Sequence, residues 1–194
     1  MILKNLRIEI LSMENKEKAK VLKRFFKTDK GEYGEGDIFL GLTVPESRKI
    51  AKKYSSLSLE EVKSLLESKI HEERLIALLI LVNNYQKSNE NIKKEIYNFY
   101  LKNTDKINNW DLVDLTADKI IGDYLLNNKK DILYKLAKSD NLWERRVSII
   151  STFQFIKNNE FKDVLNIAEI LLRDKHDLIH KGVGWMLREI GKRN

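Results

Sequence analysis

Six side chains in the second half of the chain have the types and spacing for chemistry on a charged ligand: Trp110, Asp114, Arg145, Arg146, Lys181 and Trp185. Leu75, Trp110, Arg146 and Lys181 recur at intervals of 35 to 36 residues. Leu79, Asp114, Ile150 and Trp185 follow them by four, one helical turn further along the same face. The last three copies of this stripe offer two indoles, one carboxylate and two cations. A carboxylate at Asp114 can serve as a rim residue, as an ion partner for Arg146 or as a catalytic group, and the pattern alone leaves all three open. Arg145 and Arg146 carry planar guanidinium forks that match phosphate oxygens, the alternative being an ordinary surface ion pair. Trp185 lies about 150° from the middle of the apolar stripe Ile179, Val183, Met186, Leu187 and Ile190, on the polar side of its helix. A tryptophan there serves a binding surface or a helix contact. Trp110 borders the stripe Val113, Ala117, Ile120 and Tyr124, so packing accounts for it as well as function does. Trp143 reads as packing.

Other chemistry is set aside by composition. With no cysteine, the chain has no disulfide framework, thiolate zinc site, iron-sulfur cluster or thiol nucleophile. His176 and His180 have the i, i+4 spacing of metal ligands, but no HExxH form accompanies them, and no metal is expected. The HEER stretch from His71 to Arg74 opens a helix whose Glu72 and Glu73 suit the positive N-terminal dipole. The glycine-rich stretch from Lys27 to Arg48 has neither phosphate-cradle motif and reads as a long connecting turn.

The elements that must carry these residues are helices. One proline and 8 glycines in 194 residues are too few to punctuate many short strands. Phe161, Val164, Leu165, Ala168, Leu171 and Leu172 form an amphipathic stripe. Ser58 and Glu61 have the form of a capping box, and Leu75 to Val82 is apolar enough for a helix buried on most sides. The stretches from Leu65, Leu136 and Leu171 align with Ser68, Ser139 and Asp174 in register, and a further copy fits around Asn103. A helix, a short polar turn and a second helix repeated at this period mark a stacked solenoid of the HEAT or armadillo type. The expected fold is all-α, a right-handed superhelix with a concave basic face. It forms one domain over 1–194, with N-terminal helices and the glycine-rich turn in 1–57 and the array in 58–194.

The stretches NNWDLVD (Asn108 to Asp114), NLWERR (Asn141 to Arg146), GVGWMLRE (Gly182 to Glu189), FLGLTVPESR (Phe39 to Arg48) and HEER resemble the AlkD-like DNA alkylation repair enzymes, in matching order from about Phe25 to Arg188. The resemblance implies a HEAT-like fold and a cofactor-free, monofunctional glycosylase. Such an enzyme releases cationic N3- or N7-alkylated purines from double-stranded DNA, leaves an abasic site, and acts on a lesion still stacked in the duplex. It also implies that Trp110, Asp114 and Trp185 line the lesion's deoxyribose, that Arg146 supports the damaged strand, and that Arg145 and Lys181 help hold DNA. Family members generally continue further beyond the residue matching Trp185, so a looser grip on DNA, or dimerisation to cover a last apolar face, is expected. A monomer is otherwise expected.

A formal charge of +7 favours a polyanionic partner. The opening MILKNLRIEIL is broken by Lys4, Arg7 and Glu9 before a signal-length apolar run accumulates. No later run approaches a membrane span, so the cytoplasm is the expected address. Two readings compete with the enzyme: a non-catalytic binder of distorted DNA from the same superfamily, and a helical-repeat scaffold for a protein partner.

Overall fold

The computed structural model describes residues 1–193, and apart from turns, loops and one isolated β-bridge between Ile38 and Ile70 these residues are helical, as expected for the all-α class. Spatial proximity groups the chain into two compact units: residues 1–88 with 106–112, and residues 89–105 with 113–194.

The first unit contains α1 (Ile2–Ser12), α2 (Lys16–Phe25), α3 (Val44–Lys53), α4 (Leu59–Leu66) and α5 (His71–Tyr85). α5 is its core: every residue from His71 to Val82 is buried, as an apolar run without a polar face requires. α3 and α4 both pack on it. Ser58 caps α4 through the expected reciprocal box with Glu61. The connecting turn is shorter than the sequence reading placed it. Thr43 and Glu46 form a second capping box, Pro45 occupies the first turn, and so VPESR already belongs to α3.

The second unit contains α6 (Glu90–Lys102), then the later part of a helical stretch made of α7 (Trp110–Asp114), a π-helical turn (Asp118–Gly122) and α8 (Asp123–Leu126). It continues with α9 (Asp131–Leu136), α10 (Leu142–Ser151), α11 (Phe153–Lys157), α12 (Lys162–Leu171) and α13 (Asp177–Gly191). The boundary between the units falls inside α7. α9 pairs with α10 and α12 with α13, and α10 also packs on α13 and on the π-turn. A Cβ at Gly122 would lie 2.2 Å from the Ser151 carbonyl, so only glycine allows the π-turn and α10 this approach.

The hairpin turns repeat in chemical detail. Ser68 Oγ accepts from the Ile70 amide, Ser139 Oγ from the Asn141 amide, and Asp174 Oδ1 from the His176 amide. Arg74 donates to the Ser68 carbonyl and Arg145 to the Ser139 carbonyl. The residues in register at the sequence level thus close each turn by the same backbone link.

Two helix faces differ from the sequence expectation. On α12 the buried residues are Val164, Ile167, Ala168 and Leu171, whereas Leu165 and Leu172 are exposed. The helix carries apolar residues on two adjoining stripes, and packing selects one. On α13 the buried face is Leu178, Ile179, Gly182, Val183 and Met186, with Leu187 exposed. That face is rotated toward Trp185, so the indole sits at its border, half-buried, rather than opposite it.

Candidate active site

In the second unit, α7 ends on Asp114 and α10 presents Arg146, and the two side chains form a two-pronged ion pair. Nε donates to Oδ1 at 2.8 Å and Nη2 to Oδ2 at 2.7 Å. Nη1 donates to the Leu178 carbonyl at the start of α13. Gly182 lines this passage of α13 over α10, and a Cβ there would rest in ordinary contact with the Arg146 guanidinium at 3.5 Å. The pair is asymmetric in exposure: the Arg146 side chain is 6% exposed and that of Asp114 16%. The anion therefore reaches solvent and the cation lies beneath it. Fork-to-carboxylate geometry fixes the carboxylate plane.

Beneath Asp114, Tyr100 of α6 meets Thr116 at 3.0 Å, fully buried, and burial raises its phenol well above the usual range. Asp118, one turn past Asp114, is buried and held by Lys119 at 3.0 Å and Lys157 at 2.9 Å. The Lys157 ammonium lies 4.3 Å from the Phe153 ring centre, and Phe153 in turn meets Trp185 at 5.7 Å. Trp185 thus belongs to an aromatic ledge with a tethered cation at its far side.

Arg145 and Arg146 point to different partners. Arg145 pairs with Asp174 at 2.6 Å across the next hairpin turn and donates to the Ser139 and Asp140 carbonyls. Burial works against ionisation of Asp174, but the Arg145 hydrogen bond and charge, the His176 amide and the His176 charge together hold that carboxyl below its usual range. Lys181 is exposed and pairs with Asp177 along its own helix. Ile150, at the stripe position equivalent to Asp114, is entombed. Of the six side chains named at the outset, the structure pairs Asp114 with Arg146. Trp185 lies with Phe153, and Arg145 and Lys181 bind carboxylates of their own. Trp143 is buried, as packing requires. His176 caps α13, its Nδ1 accepting from the Leu178 amide.

In the first unit, Trp110 is half-buried against α2. Its ring stacks on Phe26 at 5.1 Å and meets the edge of Phe25 at 5.7 Å. Phe26 stacks on Phe39 at 5.1 Å, and His71 faces Phe39 at 4.5 Å and Phe26 at 5.1 Å.

The HEER stretch does far more than complement a helix dipole. Glu72 accepts from the amides of Leu40, Gly41 and Leu42 at 2.8 to 3.3 Å, so a buried carboxylate holds three consecutive backbone donors of the turn before α3. At Gly41 a Cβ would lie 2.3 Å from the Asn15 carbonyl, and φ is +91°, both of which require glycine. Glu73 pairs with Arg7 of α1, and Arg74 with Asp37 at 2.6 Å. His71 lies between Asp111 (Nε2 to Oδ2, 2.8 Å) and Asp37 (Nδ1 to Oδ2, 3.5 Å). Burial works against a charged imidazole, but the Asp111 charge and hydrogen bonds to both carboxylates raise it to about 9. Asp37, though disfavoured by burial, is held below its usual range by His71 and Arg74. No local signal identifies this cluster, because Asp37 and Asp111 stand 34 and 40 residues from His71. The adjacency of four polar residues to the apolar run that they enter was the available clue.

No helix among the described residues is long and apolar enough to cross a membrane. A comparison with curated proteins finds no significant match. In fold, the chain is similar to the solved structure of a predicted DNA alkylation repair enzyme from Enterococcus faecalis. The TM-score is 0.67 at 17% identity, covering 92% of this chain and 84% of that one. Residues 6–194 match the sequence profile of the DNA alkylation repair enzymes, and with nearly the whole length so matched, the chain belongs to that DNA repair family.

Proposed function

We propose that the protein is a DNA glycosylase that hydrolyses the N-glycosidic bond of cationic N3- or N7-alkylated purines in duplex DNA. The observation that carries this reading is the Asp114–Arg146 pair, in which a buried guanidinium orients a carboxylate whose outer edge meets solvent. A site made only to grip phosphate would present the cation; here the anion faces outward.

Alkylation makes the purine a cation, so the base leaves with the electron pair of the C1′–N bond and becomes neutral without being protonated. Positive charge then grows on the sugar as in other glycoside cleavages. A pre-oriented carboxylate at Asp114 opposes that charge and orients the water that adds to C1′, whose proton passes to the carboxylate or to solvent. Trp110 and Trp185 would offer ring faces to the sugar and the cationic base, each contact contributing on the order of 0.5 to 2 kcal/mol. Arg145 and Lys181 would contribute to holding the DNA, and a formal charge of +7 suits that partner.

The test is release of 7-methylguanine from a labelled duplex. Wild type is expected to release the base and leave an abasic site, and Asp114→Asn to lose about 10²-fold or more in rate, the scale of a lost preorganised electrostatic partner. Equal release by both proteins, or tight duplex binding by both with no release, rejects the proposal; the second result would assign a binding module instead.

A further inference from the structure

The first unit encloses a charge set that the reaction above does not use: Asp37, His71, Arg74 and Asp111, all below 9% exposed. Two carboxylates, one guanidinium and one imidazole carry zero net charge only when His71 is protonated. Buried sets with an unbalanced charge are costly, so the protonated form is the one the fold accommodates. Both histidine ring nitrogens face carboxylate oxygens, which only accept, so both must donate, and an imidazolium alone has two N–H groups.

The location of those carboxylates gives the set a consequence. Asp111 directly follows Trp110 in the first turn of α7. Asp37 sits two residues before Phe39, whose ring stacks on Phe26, which in turn stacks on Trp110. We propose that His71 is a positioning residue for Trp110: its imidazolium ties together the helical turn that carries the indole and the loop that carries the ring stack behind it. This inference deepens the reading of Trp110 as a residue of the lesion site. Loss of the proton removes one of the two N–H donors, and one carboxylate then faces a nitrogen lone pair. The charged groups facing His71 are Asp37 from the loop, Asp111 from α7 and Arg74 from its own helix; the residue that ends α2, Phe26, is uncharged.

The experiment follows the indole N–H resonances of the full-length protein labelled with nitrogen-15 on its tryptophans, Trp110 being assigned by its loss in Trp110→Phe. In wild type the Trp110 resonance should move with a midpoint near pH 9. His71→Gln should abolish that movement and leave Trp143 and Trp185 where they were. Should His71→Gln fail to fold, Asp111→Asn removes the link to α7 while keeping His71 and Asp37, and should shift the midpoint downward. A Trp110 resonance that stays fixed while the wild-type protein remains folded through the titration overturns the inference, as does a titration unchanged in the variant that folds. A second arm measures release of 7-methylguanine. In wild type kcat should fall on the alkaline side with the same midpoint while KM holds, and His71→Gln should lose that limb. If wild type releases no base at any pH, the glycosylase reading fails and the indole titration still decides the role of His71.

Discussion

Two ionic clusters, one in each compact unit, use the same residue types to different ends. In the first unit Asp37, His71, Arg74 and Asp111 are closed off from water and neutralise one another. In the second, Arg146 is buried as well, with 6% of its side chain exposed, yet its partner Asp114 is left partly open at 16%. Closure makes the first a fastening between a loop, a long helix and a short one. The second is a support under a partly exposed carboxylate. The difference teaches that burial of the anion, rather than the presence of an ion pair, is what separates the two clusters, and under the proposed function the partly open one is the one that meets a ligand.

The largest expected effect tests that distinction by removing the cation from each. Arg74→Met leaves Asp37 enclosed beside a single remaining partner and should lower the unfolding free energy by about 3 to 5 kcal/mol in urea titrations. Arg146→Met should cost less, about 1 to 3 kcal/mol, because Asp114 can turn to water while the Leu178 carbonyl loses its donor. Equal losses would erase the contrast.

Next in size is a pH effect confined to the first cluster. The His71 imidazole is raised from its ordinary value of 6.5 to about 9, so its contribution is fully present below pH 6.5 and is lost as pH rises through about 9. Thermal unfolding of wild type should therefore weaken over that interval by about 3 kcal/mol, and His71→Gln should flatten the profile. The smallest effect sharpens the comparison from outside both clusters. Lys181→Ala removes an exposed i, i+4 pair and should change stability by less than about 0.5 kcal/mol. The slope of log affinity for duplex DNA against log salt should still fall in magnitude by about 1.

What the sequence revealed followed from local physics. The Ser58–Glu61 box, the buried run of α5 and the alignment of Ser68, Ser139 and Asp174 rest on contacts within a few residues, and all reappear in the structure. The pairing of Asp114 with Arg146 was one of three readings open at that stage, since spacing places residues on a face without saying which neighbours meet. The role of HEER was hidden because the carboxylates, amides and guanidinium that define it lie 30 or more residues away. The orientation of α13 differs from the sequence reading because an apolar count gives no weight to Gly182, which lies on the buried face with Leu178, Ile179, Val183 and Met186.

The π-turn at Asp118–Gly122 carries a consequence for how this stretch tolerates change. A π-turn spends one residue more per revolution than an α-turn. Deleting one residue there would restore ordinary winding, because the remaining residues complete the same revolution, and the side chains downstream would keep their facing. Tyr124 would stay over the ring of Tyr97, on which it stacks at 4.2 Å, whereas a deletion in ordinary α-helical winding would turn it by about 100°. The extra residue is an allowance absorbed within the turn itself, so this stretch should tolerate the loss of one residue there better than a loss in the α-helical winding on either side.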